Sequence, residues 1–344
     1  MNGDLESRIV GKALSLGYDQ VGITPLEDMA GYDQRFEERL GKVPESAQFY
    51  EGLRRLTKVA ERHPWANSVI VIVQDQSCYK IPDGLRGHVA LNYLFDSRVD
   101  ENAPDYAKTS EMNQFFGEIG LRTEWNRKYG VVGDRYAAMQ AGLGVIRYNN
   151  FFYSDKYGSF CRIISWLADK EMSWKAKSNA RPCPDSCRKC VKACPTRSLS
   201  DPFTMSPFKC VSLLTTRAID LKGHPLRKEL GGCIYGCDIC QQVCPQNKGK
   251  WHEEREFPGV AELAPVLAPE AILAMSEDIY KEMVQPKFFY LSPDELWKWQ
   301  VDALNCMANS DSDKYAAEIL NARTHPHEKV RSYAQALTEE LSLA

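Results

Sequence analysis

Two groups of cysteines, each closed by a Cys-Pro pair, constrain this chain more than any other feature. Cys183, Cys187, Cys190 and Cys194 run into Pro195; Cys237, Cys240 and Cys244 run into Pro245; Cys210 lies between the groups. A [4Fe–4S] cube has four irons, each needing one thiolate. A Cys-x-x-Cys loop sets two sulfurs on neighbouring irons while its amide N–H groups turn toward the sulfides. The spacing predicts two [4Fe–4S] clusters held by these eight cysteines.

In two-cluster ferredoxins the cysteine before proline ligates the other cube. Carried onto this chain, the pattern gives one cluster Cys183, Cys187, Cys190 and Cys244, and the other Cys194, Cys210, Cys237 and Cys240. Three residues separate Cys183 from Cys187 where the bacterial pattern has two, so Cys233 stands as an alternative thiolate near the second group. Paired Cys-x-x-Cys also binds tetrahedral zinc, but zinc ribbons need neither Cys-Pro ends nor an isolated Cys210. A disulfide framework suits a short secreted chain rather than one of 344 residues with a polar, acidic start from Met1 to Glu6. The four other cysteines, Cys78, Cys161, Cys233 and Cys306, are scattered. A reducing compartment suits all twelve. With no apolar run near the ~20 residues of a membrane span, a soluble, cytoplasmic protein is expected.

Apolar residues at Leu5, Ile9, Ala13 and Leu16 recur at helical spacing, and Gly17 ends that helix. A short strand at 20–24 follows. Segments 27–40 and 51–62 are amphipathic and helical, and 68–73 is a continuous β-branched run that reads as a buried strand. Pro82, Gly84, Gly87 and Pro104 break 76–111 into loops, whose Tyr79, Tyr93, Phe95 and Tyr106 suit the wall of a core better than that of a pocket. The pattern predicts a helix over 133–141, a strand over 159–167 and a polar linker at 170–180. Helices are expected at 269–275, 293–307, 313–321 and 327–341, with breaks resembling HEAT-type helix pairs. The fold class is therefore α+β: an N-terminal α/β domain at 1–178, a ferredoxin-like double-cluster domain at 179–252 and a helical region at 253–344.

Several motifs together resemble one family. They are Gly17-Tyr18-Asp19-Gln20-Val21-Gly22-Ile23, Asp134-Arg135, Ala141-Gly142-Leu143-Gly144, Tyr157-Gly158-Ser159 with Asp169, and Ile234 through Gln241 with Val243-Cys244-Pro245 and Asn247. The family is the epoxyqueuosine reductases, with the corrinoid reductive dehalogenases as more distant kin. The resemblance implies a cobalamin held base-off in the N-terminal domain, fed single electrons by the two clusters and reducing the substrate. It implies Gly142, Gly144, Arg147, Asn149, Tyr157, Gly158 and Ser159 on the cofactor, the glycines letting backbone approach it closely. The plain alternative for Gly142 and Gly144 is a tight turn. No His lies in a DxHxxG arrangement, so no His ligand to cobalt is expected.

The chain departs from that family where its chemistry sits. The family's proton donor is an Asp in an Asp-small-any-Pro stretch just upstream of the acidic-Arg pair; here the stretch reads Lys128-Tyr129-Gly130-Val131. Its Asp-Tyr-His segment has no counterpart around Asn92 to Asp96. Reducing an epoxide, alkene or halide needs a proton delivered from a group at hydrogen-bond distance. Tyr129 leads the candidates, as a tyrosine does in the dehalogenases, with the Lys128 cation beside it. Lys128, Asp134, Cys78 and Arg147 follow. Their plain readings are a solvated cation, a helix-face pair with Arg135, a small buried apolar residue, and a surface or cofactor-tail contact.

Holding a tRNA requires clustered Lys and Arg. The formal net charge is −3, and from Lys281 onward there are seven Lys or Arg against ten Asp or Glu. Basic residues gather instead at the first cysteine group: Arg181, Arg188, Lys189, Lys192 and Arg197. They suit an anionic cluster, or the docking of an acidic donor such as a reduced ferredoxin or flavodoxin. The leading expectation is thus a cobalamin- and [4Fe–4S]-dependent reductase of a small molecule. The alternatives are an epoxyqueuosine reductase acting on tRNA, and a non-catalytic iron–sulfur electron-transfer protein.

Overall fold

In the computed structural model, which describes residues 3–18 and 20–343, the β-branched run becomes the spine of the N-terminal sheet. Met1, Asn2, Ala344 and the Asp19 of the opening motif lie outside the described residues. The strands are β1 (Val21–Pro25), β2 (Ser68–Asp75), β3 (Thr123–Glu124), β4 (Val145–Ile146), β5 (Phe152–Tyr153) and β6 (Cys161–Ala168). Four of them form one antiparallel sheet in the order β1-β2-β6-β3, while β4 and β5 pair separately. Ile70 faces Trp166 and Ile72 faces Ile164 across the central pair.

Because side chains alternate along a strand, β2 serves two cores. Ile70 and Ile72 pack with Ile9, Ala13, Met112, Phe116 and Trp166, under the helices Gly3–Ser15 and Pro104–Glu118. Val69, Val71 and Val73 pack with Val132, Tyr136, Ala137 and Ala141, under the helix Asp134–Gln140. A strand covered on both sides reads as an unbroken apolar run, which is why it was visible in the sequence.

Two expectations fail for local reasons. Pro104 does not break a loop; it sits in the first turn of the helix Pro104–Glu118, where its missing N–H costs nothing. The segment 51–62 is no single helix. Its backbone turns left-handed at Lys58, φ 51°, where the Lys58 N–H donates to the Asp33 carboxylate at 2.9 Å.

The cysteine segment has no core of its own. One apolar cluster joins Leu85, Leu94 and Phe95 to Ile234, Tyr235, Phe257, Leu263 and Trp299; another joins Val211, Leu214 and Cys233 to Val301, Leu304, Ile319 and Leu337. Tyr235 stacks on Trp299 with centroids 4.8 Å apart, two residues before Cys237. The C-terminal helices are therefore the floor on which the second cysteine loop is set.

Within the helix Leu296–Ser310, Lys298 and Asp302 form a 2.5 Å ion pair with side chains 0% and 1% exposed. Burial pushes the Asp302 carboxyl up to about 7 and the Lys298 ammonium down, so the two hold each other charged only narrowly. Asp302→Ala strands a buried ammonium and should cost about 3–5 kcal/mol. Lys298→Met with Asp302→Leu should recover most of that loss. Chemical denaturation of the three proteins checks both expectations.

Candidate functional site

Two short helices, Lys189–Ala193 and Ile239–Gln242, carry Cys190 and Cys240 and pack against each other. Cys194 and Cys244 cap their C-terminal ends on extended or turning backbone ahead of a proline. The packing sorts the thiols into fours. Cys190 is raised by burial and by Cys183, Cys244 and Cys187 beside it. Cys210 is raised by burial, with Cys237 and Cys194 beside it, and Cys240 by burial, Cys237 and Cys210. Most of these neighbours follow the crossed partition, with Cys244 beside Cys190 and Cys194 beside Cys210, and Cys190 also stands beside Cys240, where the two groups meet. Cys183 stands in the first quartet, with the Arg147 guanidinium 3.5 Å from its sulfur. Cys233 lies against Cys237, whose thiol it holds up together with burial, and is itself sunk in an apolar cluster. No cysteine is in a disulfide.

A cavity of about 790 Å³ opens between the sheet domain and the cysteine segment. It is lined by Cys194, Cys210, Cys237 and Cys240, all four of the second quartet, and by none of the first. Tyr32, Phe36, Tyr50, Leu56 and Val132 make an apolar wall; Asp134, Asn149, Tyr129 and Tyr290 add polar atoms; Arg35, Arg39, Lys42, Arg135 and Arg217 face Glu38, Asp134 and Asp238. Three buried polar atoms of lining residues, Asp134 Oδ1, Arg39 Nε and Asn150 Nδ2, have no protein partner.

Asp134 begins its helix and lines the cavity, with its Oδ1 buried and without a protein partner. Burial pushes it up to about 6, against the pull of Ser165, Arg162, Arg98 and Arg135. Tyr129 is 52% exposed at the cavity edge, its ring 6.4 Å from that of Phe289, and the Lys128 ammonium lies 4.2 Å above the Phe289 ring. The loop carrying both is clamped. Arg55 donates to the carbonyls of Tyr129 and Gly130 at 2.7 and 2.8 Å, Arg98 donates to the Lys128 carbonyl at 2.8 Å, and the Asn126 side chain accepts from both loop amides. Cys78 is buried in the apolar cluster away from the cavity lining.

The sequence reading missed what holds this loop. Asp96, 1% exposed, is ion-paired to both Arg98 and Arg162; burial opposes its charge, but the two guanidiniums keep it below the usual carboxylate range. Asp96-Ser97-Arg98 after an aromatic run was the available signal, and Arg162, buried inside a strand, was the other.

Several residues expected on the cofactor make contacts within the protein. A Cβ on Gly142, φ 76°, would stand 2.2 Å from the Ala176 carbonyl, and one on Gly144 would stand 2.1 Å from the Tyr153 carbonyl. Both glycines admit the chain's own backbone, as the tight-turn alternative has it. Arg147 reaches Cys183 and the Arg181 carbonyl, so it belongs to the first quartet. The Ser159 hydroxyl donates to Gln241 at 2.8 Å and its N–H to Asn247 at 2.9 Å; a Cβ on Gly158 would strike Asn247. With neighbouring Tyr157, these lie outside the cavity lining and join the sheet domain to the second loop. Asn149 does line the cavity, donating to the Cys240 carbonyl at 3.0 Å.

The site defines a double-cluster iron–sulfur protein with a large ligand cavity opening on one of its clusters. A family described as the 4Fe-4S double cluster binding domain matches residues 183–247. An epoxyqueuosine reductase of Staphylococcus aureus is 35% identical over 290 residues, 81% of this chain and 73% of its own length. That of Leadbetterella byssophila is 34% identical over 268 residues, 74% and 84% of the two chains. This chain belongs to the epoxyqueuosine reductase family. The match to the Bacillus subtilis relative, 34% identical over 164 residues, spans only 41% of that protein. In fold, the chain is like the B. subtilis epoxyqueuosine reductase structure, with a TM-score of 0.77 and 24% identity, covering 97% of this chain and 89% of that one. It is equally like an epoxyqueuosine reductase solved with an epoxyqueuosine-modified tRNA-Tyr stem loop, with a TM-score of 0.76 and 24% identity over 98% and 91% of the two chains.

The cofactors are two [4Fe–4S] clusters and cobalamin, and the residues present fit both. Eight thiols fall into two fours. The cavity, within the ordinary range of about 300–1,000 Å³ for ligand sites, joins apolar walls to a few unpartnered polar atoms beside one quartet. No helix among the described residues is long and apolar enough to cross a membrane.

The crossed partition makes a specific claim about two variants. Cys244→Ala, in the second motif, should remove the cluster of the first quartet, and Cys194→Ala that of the second. Iron should fall from about eight to about four per chain in each, and the two variants should retain different electron paramagnetic resonance signals.

Proposed function

We propose that this protein is an epoxyqueuosine reductase acting on tRNA, with electrons passing from the first cluster to the second and then into the cavity. The observation that carries this reading is the cavity itself, bounded by the four cysteines of one quartet and by the Asp134 carboxyl, which burial raises to about 6. Family membership and the likeness in fold to a tRNA-bound reductase support the substrate.

This replaces the expectation of a small-molecule substrate, which rested on counting charge along the C-terminal segment. That count included charges already paired within the fold: Lys298 with Asp302, and Glu340 with Arg227, a cation outside the counted segment. The relevant surface is the cavity, where five cations face three carboxylates. Such an excess suits a phosphate-bearing substrate.

Removing an epoxide oxygen to leave an alkene takes two electrons and two protons and releases water. The electrons come from a low-potential one-electron carrier protein through the clusters; cobalamin, when bound, supplies a strongly reducing nucleophilic metal centre. The chain's own part is to deliver protons and exclude water. Asp134 stands ahead of Tyr129 as the acid, because it sits against the apolar wall with a carboxyl near 6 while Tyr129 is half in solvent. Arg55 and Arg98 position the Tyr129 loop, and Lys128 gives the mouth a cation where the family has its acid.

Expression in a strain lacking its own epoxyqueuosine reductase should restore queuosine in tRNA, measured by nucleoside mass spectrometry; persistence of epoxyqueuosine would refute the proposal. A raised carboxyl holds its proton below its folded value and loses it above. Turnover should therefore decline as pH rises through about 6, and Asp134→Asn should remove that limb and lower turnover by about 10²–10⁴-fold. Tyr129→Phe should slow turnover less and leave the cluster and corrinoid spectra unchanged.

A further inference from the structure

We infer that the exposed basic face over the first quartet is the docking surface for an acidic one-electron carrier protein. The inference rests on the two-cluster assignment and not on the identity of the substrate. All four second-quartet cysteines line the cavity and no first-quartet cysteine does, so the first cluster is the outer one. Cys183 and Cys187 are half-exposed beside the solvent-facing Pro182 and Pro184, and Val243, next to Cys244, is an exposed apolar residue. Around this opening stand the exposed Arg181, Lys189, Lys192 and Arg197.

Cluster charge alone does not account for these four. The inward compensating cation is Arg147, buried and 3.5 Å from the Cys183 sulfur. Arg188 is spent on the Asp185 and Cys187 carbonyls and on Asp201. The remaining four make no ion pair among the described residues and point to water, in a chain whose net charge is −3. Exposed cations beside a small apolar opening over an electron-accepting group, outnumbering the exposed Asp185 among them, are complementary to a protein with an acidic rim around its own redox centre. Such complementarity acts on association rate and falls with salt. In each encounter the carrier loses one electron and the outer cluster gains it, with no bond made or broken.

The test uses the reconstituted holoprotein with Lys189→Glu and Lys192→Glu combined, and reduced flavodoxin as the probe. Stopped-flow bleaching of the clusters should show a second-order rate constant lowered by at least about tenfold at low ionic strength, with a weaker salt dependence. Reduction by uncharged deazariboflavin radical, iron content and resonance spectra should match the unmodified protein. Lys189→Gln with Lys192→Gln should give an intermediate loss, guarding against a folding defect in the charge-reversed pair. The inference is overturned if flavodoxin reduces variant and parent alike, if both reductants slow together, or if the loss appears instead in affinity for a tRNA stem loop.

Discussion

The structure turns on one exchange of neighbours: Cys244, ahead of its proline, stands beside Cys190 of the other motif, and Cys194, ahead of its own, stands beside Cys210. The exchange is enforced by the packing of two helices only five and four residues long. Helices that short are not stable alone, so the larger fold must hold them. The second rests on Tyr235 stacked against Trp299, and it is tied to the sheet domain by Ser159, Gln241 and Asn247. Residues from three stretches of sequence thus meet at one cysteine loop, and no stretch can be withdrawn without loosening a ligand.

The same logic explains the direction built into the molecule. One quartet lines the cavity and the other approaches solvent, so the two clusters have unequal surroundings even though their motifs look alike. Arg147 contributes to the inequality by placing a buried cation on the outer quartet. The inner quartet has Asp238 nearby instead, its carboxyl raised by burial to about 6 and hydrogen-bonded by the Leu91 N–H and Gln241. A cation stabilises a reduced cluster and an adjacent carboxylate opposes it, so electrostatics as well as distance distinguish the two.

Much of this was legible in the sequence because it was periodic or chemically unusual. The buried strand and the double-cluster segment follow from apolar runs and from Cys-Pro spacing. The helix Pro104–Glu118 was hidden because proline marks either a break or a first turn, and only tertiary packing of Met112 and Phe116 decides between them. The glycine turn is ambiguous for a related reason. Gly142 and Gly144 announce a close approach, but nothing local says whether a cofactor or the Ala176 and Tyr153 carbonyls approach. The Asp96–Arg98–Arg162 network was out of reach, since Arg162 sits 66 residues from its partner inside an otherwise apolar strand.

That network bears on how the loop of Lys128 and Tyr129 is held. A buried carboxylate between two guanidiniums is held by interactions whose loss would strand charge in the interior, so it is a rigid anchor. Arg98 extends from it to the carbonyl of Lys128 and to the hydroxyl of Tyr290, fixing the loop and the cavity wall to the same point. The excess positive charge there also limits Asp134, which would rise further if Arg162, Arg98 and Arg135 did not pull it back. Balanced in this way, the carboxyl keeps a proton it can give up near neutrality. The clamped loop meanwhile holds the Lys128 ammonium over the Phe289 ring.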